Sequence, residues 1–220
     1  MPDNEDLRLR LYHQLASEGR VPTRSAVARE LHLSDEAVAT AYAELAAARH
    51  LALDDDGEIV LAHPFATRDF GFSVKSHDVL WWGGCAWDSF AIPHLVPGAS
   101  PSLVATTCPA CDTAHAWNVT ATAAPTGTQV VHFLVPMHDV WDDVVHACEN
   151  KLVFCDEDCV DTWLERTGKQ KGAVFGLHEL WDLASEWYGG RLQRGYRRKD
   201  PAAAASSFHA AGLRGPFWGD

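Results

Sequence analysis

The chain holds 220 residues, 47% of them hydrophobic, enough to bury a sizeable core as one large or two small domains. A formal net charge of -12 argues against a duplex-binding protein, because neutralising phosphates takes clustered Lys and Arg. No stretch approaches the roughly 18 continuous apolar residues of a membrane span, and the acidic start Pro2-Asp3-Asn4-Glu5-Asp6 lacks the basic and apolar parts of a signal peptide. A cytoplasmic chain is therefore expected, its six cysteines reduced and available for metal or catalysis.

Residues 1–64 read as a winged-helix-like packing module. Leu7, Leu11 and Leu15 recur at helical spacing ahead of Gly19. Thr23 and Ser25 are cap candidates for a second helix carrying Val27, Leu31 and Leu33, and Ser34 opens a third with Val38, Tyr42 and Leu45 on one face. Asp54-Asp55-Asp56-Gly57 between two short apolar runs predicts a hairpin. Helix-turn-helix DNA readers share this order of elements. Here, however, residues 1–61 hold twelve Asp/Glu against six Arg and no Lys. A third helix opening Ser34-Asp35-Glu36-Ala37 has nothing to hold a phosphate or read a guanine, so nucleic acid is not an expected partner.

Residues 65–198 predict a catalytic α+β core, a mainly antiparallel sheet with helices packed against it. Strand-like alternation runs through Phe70–Val74, Trp117–Thr120 and Val130–Val135. A helix-like apolar stretch extends from Leu80 to Val96, stopped by Pro97-Gly98, and helices are expected over Val140–Ala147, Asp158–Arg166 and His178–Tyr188. Residues 199–220, rich in Ala, Ser and Gly, read as a flexible tail in which Phe208, Phe217 and Trp218 are the candidates for docking.

The chemistry concentrates at Gly84-Cys85-Ala86-Trp87-Asp88 and at a later isolated Cys148. A thiol and a carboxylate three positions apart share one helical face. A second thiol brought in by the fold would let the pair grip a soft metal while the carboxylate manages a proton. Cleavage of a metal–carbon bond is one of the few reactions needing that set. Trp81, Trp82, Trp87, Phe90 and Ile92 surround Cys85 and are read as core, an apolar wall expected to raise the pKa of Asp88. Taken singly, Cys148 reads as a small buried hydrophobe and Asp88 as a solvated helix position.

The order of these features resembles the organomercurial (alkylmercury) lyase family. The matching stretches are Gly19–Arg24, Cys85-Ala86-Trp87-Asp88-Ser89-Phe90-Ala91-Ile92-Pro93, Cys108, Ala147-Cys148 and Val174–Glu179, in order over roughly residues 5–195. The resemblance implies a carbon–mercury lyase in which Cys85 and Cys148 bind the organomercurial and Asp88 shuttles the proton. Hydrocarbon would be released and Hg(II) left between the two thiols, for a low-molecular-weight thiol or a mercuric reductase to remove. No cofactor is needed for that chemistry and no membrane is involved. His178-Glu179 matches the family and reads as a structural polar pair.

The sequence departs from the family in its extra cysteines, since only Cys108 has a family counterpart. Cys108-Pro109-Ala110-Cys111 is a knuckle shape, and Cys155 and Cys159 stand one turn apart at a helix start. Together they are the two halves of a tetrahedral structural zinc site. Four reduced thiols, or thiols that relay mercury or form a redox couple, are the other readings. Two alternatives to the lyase also stand: a non-enzymatic soft-metal or ligand-binding relative, and a lyase for another organometal. Asp88 favours an enzyme, because a binder needs no proton shuttle.

Overall fold

The computed structural model describes residues 4–219 and has an α+β fold. Its N-terminal helices are α1 (Asn4–Glu18), α2 (Arg24–Leu31) and α3 (Asp35–Ala47). The caps are those the sequence offers. Thr23 Oγ1 accepts from Ala26 N at 3.3 Å and Ser34 Oγ from Ala37 N at 3.2 Å, each satisfying an otherwise orphaned amide. Leu7, Leu11 and Leu15 are buried on α1, one helical stripe facing the core. The hairpin follows as β1 (Ala52–Leu53) and β2 (Ile59–Ala62), its turn held by Asp54 Oδ1, which accepts from the amides of Asp56 and Glu58.

That hairpin is the edge of a larger sheet. β2 pairs with β3 (Phe65–Ala66), and β3 with β5 (Val79–Gly83), which also pairs with β4 (Ser73–Ser76). The sheet is completed by β6 (Ser102–Thr107) and β7 (Ala114–Val119) in the order β1-β2-β3-β5-β4-β6-β7, every pairing antiparallel. A second antiparallel sheet has the order β10-β8-β9, from β8 (Val130–Phe133), β9 (Lys151–Phe154) and β10 (Ala173–Gly176). Leu61 and Ala62 pair with Ala66 and Phe65 across the turn at residues 63–64, the point at which the sequence suggested a domain boundary.

The helices of the core are α4 (Ala86–Leu95), α5 (Val144–Glu149), α6 (Glu157–Thr167) and α7 (Leu177–Trp187). The helix expected from Leu80 to Val96 is therefore half strand. Val79, Trp81 and Trp82 favour a pleated surface, and Gly84-Cys85 separates β5 from α4. Trp81 is buried and donates its indole N–H to the carbonyls of Leu15 and Ala16, fastening α1 to the sheet. Likewise the helix expected at Val140–Ala147 begins only at Val144, where Asp143 caps it by accepting from His146 N at 2.9 Å.

The last segment is ordered, contrary to the expected flexible tail. Asp200 caps α8 (Pro201–Ala210), and a 3-10 turn follows over Pro216–Trp218. Phe208 stacks on Trp187 with ring centroids 5.3 Å apart, and Trp218 packs edge-on to Phe175 at 5.5 Å. Alanine-rich composition suggested looseness, yet Ala is the strongest helix former and Asp200-Pro201 is a sound cap and first-turn pair.

Candidate active site

The strand-to-helix corner between β5 and α4 builds the first half of the site. Cys85 is the N-cap of α4, so its sulfur turns back over the first turn and accepts the Asp88 amide at 3.4 Å. Gly83 and Gly84 allow this corner to close tightly. A Cβ on Gly84 would stand 2.5 Å from Asp88 Oδ2, and one on Gly83 would stand 1.9 Å from Ser89 Oγ. The second half comes from α5, which carries Cys148 close enough for each buried thiol to shift the titration of the other.

Cys85, Asp88 and Cys148 are all but fully buried. Nδ1 of His63, a carboxylate oxygen of Asp88 and the sulfur of Cys148 lie within 4.8 Å of one another. Nδ1–H of His63 donates to Asp88 Oδ2 at 2.9 Å, and the Tyr188 hydroxyl donates to Asp88 Oδ1 at 2.5 Å. Lys151, the first residue of β9, holds its ammonium 5.3 Å from the Trp87 ring centre and 5.5 Å from that of Phe133. His63, Trp87, Asp88, Cys148, Lys151 and Tyr188 border a cavity of about 60 Å³, walled further by Trp141, Trp187 and Arg191.

The electrostatics assign protonation states. Burial would push the Asp88 carboxyl up, but the His63 ring, the Tyr188 hydroxyl and Lys151 outweigh it and hold the group below its ordinary value. The expectation of a raised pKa is thereby corrected: the apolar wall is real, but polar donors reach both carboxylate oxygens. Burial, the Cys148 hydrogen bond and the Asp88 charge push the Cys85 thiol well up. Its donated hydrogen bond, aided by His63 and Lys151, brings Cys148 down to about 7. Cys148 is thereby the more acidic of the two thiols and Cys85 the one that holds its proton more tightly, beside a carboxylate that favours its ionised form.

Three site groups escaped the sequence reading. His63 sits in an apolar run, Ile59–Phe65, where a lone polar residue was its only signal. Tyr188 closes a helix that was foreseen, and Lys151 stands in a short strand that was not. Of the aromatic residues near Cys85, Trp87 lines the cavity, whereas Phe90 packs on Trp117 in the core. His178 forms an ion-pair contact with Asp182 at 2.9 Å on the surface. The remaining cysteines, Cys108, Cys111, Cys155 and Cys159, gather in a separate cluster.

Two buried thiols, near a carboxylate that accepts from two donors, are a donor set suited to a soft metal. The chain belongs to the alkylmercury lyase family, whose model matches residues 65–189. Its fold is that of a solved structure described as the mercury-bound form of MerB2, at a TM-score of 0.66 and 16% identity, over 88% of this chain and 93% of that one. No individual curated protein matches the sequence. Among the described residues, no helix is long and apolar enough to cross a membrane.

Proposed function

We propose that the chain cleaves carbon–mercury bonds by protonolysis at Cys85, Cys148 and Asp88. The observation that carries this reading is the burial of Cys85, Asp88 and Cys148, with Asp88 and Cys148 bordering one cavity and Cys85 capping the helix that carries Asp88. In R–Hg–X the Cys148 thiolate displaces X⁻ and forms R–Hg–S. Asp88 takes the remaining proton of the thiol pair, and Cys85, now a thiolate, becomes the second sulfur on mercury. The added electron density makes the mercury-bound carbon basic, and protonated Asp88 gives it the proton. The Hg–C bond breaks with its electron pair on carbon. RH leaves, Hg(II) stays between two sulfurs, and Asp88 is ionised again.

His63 and Tyr188 keep the carboxylate aimed and ready to receive that proton, and Lys151 supports negative charge on sulfur. The cavity is smaller than the roughly 150 Å³ that admits a benzene ring, so short alkyl groups suit it best. A low-molecular-weight thiol in the cytoplasm would take Hg(II) from the pair. The test is methane release from methylmercury in excess thiol, comparing wild type with Cys85→Ala. Methane from the wild type alone supports the lyase. Tight mercury binding without methane from the wild type would make the chain a soft-metal binder instead.

A further inference from the structure

Four of the six thiols have no part in that reaction. The sulfurs of Cys108, Cys111, Cys155 and Cys159 all lie within 4.8 Å of one another, and none is in a disulfide. Cys111 stands 3.5 Å from Cys155 and 3.9 Å from Cys159. Zinc–sulfur bonds of about 2.3 Å in a tetrahedron place neighbouring sulfurs about 3.8 Å apart, between those two distances.

The backbone around the sulfurs is built for the purpose. Cys108 follows β6, its amide donating to Thr113 O at 2.8 Å while Asp112 N donates back to Cys108 O at 2.9 Å. Asp112 takes a left-handed φ of 59° to close this knuckle. Cys155 follows β9, and Cys159 lies in the first turn of α6, its amide donating to the cap Asp156 at 2.9 Å. Arg166 of α6 donates to the carbonyls of Pro109 and Ala110, so knuckle and helix are clamped independently of the sulfurs. His115 Nε2, 3.6 Å from Cys155 Sγ, is placed to donate to that sulfur as a thiolate. A small core of Phe154, Val160, Trp163 and Leu164 packs with Cys108.

We propose that these four cysteines hold a structural zinc ion that staples the β6–β7 hairpin of the large sheet to the β9–α6 unit of the small one. Four protein thiolates complete the tetrahedron and leave no coordination position for a substrate. β9 starts three residues after Cys148 and ends against Cys155, so the ion anchors the far end of the segment that presents Cys148 and Lys151 to the cavity. The proposal concerns zinc alone and does not require the lyase reaction.

The experiment is elemental analysis of the full-length protein, purified under reducing conditions without chelator, alongside Cys111→Ser, Cys159→Ser and Cys148→Ser. Expected are about one zinc per chain in the wild type and in Cys148→Ser, and loss of most of it in the other two. Cobalt added to the metal-stripped wild type should give the d–d absorption of a tetrahedral four-sulfur site. That readout stands even if the serine variants fold poorly. Fewer than about a tenth of an equivalent of zinc after zinc addition, zinc retained by Cys111→Ser, or iron in its place would each overturn the proposal.

Discussion

Asp88→Asn isolates the proton from the metal. The substitution keeps size and shape but removes the charge that His63 and Tyr188 serve at 2.9 and 2.5 Å. The amide can accept from one of these donors with its oxygen, while its NH₂ faces the other. Losing one charged, buried hydrogen bond costs about 1–3 kcal/mol of stability. An amide also cannot carry the proton. General acid–base catalysis contributes about 10²–10⁴-fold, so hydrocarbon release should slow by that factor, about 3–5 kcal/mol in barrier height. The assay is single-turnover methane release from methylmercury, with thiol titration of bound mercury alongside. The variant should still bind methylmercury through Cys148. Release at the wild-type rate would refute the role of Asp88.

Tyr188→Phe removes the donor to Asp88 Oδ1 without changing shape. Release should fall about tenfold, and the acid limb of the kcat/KM profile should move to higher pH as the carboxyl becomes easier to protonate. An unmoved profile would reduce Tyr188 to packing. Burial, with Lys171 and Lys169 nearby, lowers His132 to about 4, and its Nε2 accepts the Gly172 amide at 3.0 Å. Folding thus keeps the ring neutral where an unfolded histidine would protonate. Stability should be full above about pH 6.5 and fall by about 3 kcal/mol towards pH 4, and His132→Gln should flatten that slope in urea titrations. Trp218→Ala should cost about 3–5 kcal/mol in the same assay, where truncating a loose tail would cost almost nothing.

Legibility followed the range of the interactions. Helices α1, α2 and α3 and the first hairpin could be read because Thr23, Ser34 and Asp54 act on amides within four residues of themselves. Cys85 and Asp88 could be named because a short motif carries both. The partners of Asp88 could not. Tyr188 lies 100 positions away and His63 lies 25 away, and no local pattern announces either contact. The strand β5 was lost for a related reason: Leu80–Val96 is apolar throughout, and a short buried strand running into a buried helix has no change of period to mark the join. For the tail, composition misled where Phe208 and Trp218 were the better guide.

Arg191 gives the N-terminal module an unexpected place in the economy of the fold. Its guanidinium borders the cavity and donates to the Tyr12 hydroxyl at 2.8 Å, while Arg8 of the same helix donates to Arg191 O at 2.7 Å. Helix α1 is thus the outer buttress of the cavity wall. The N-terminal module thus reaches the site without lining it, by holding in place an arginine that does.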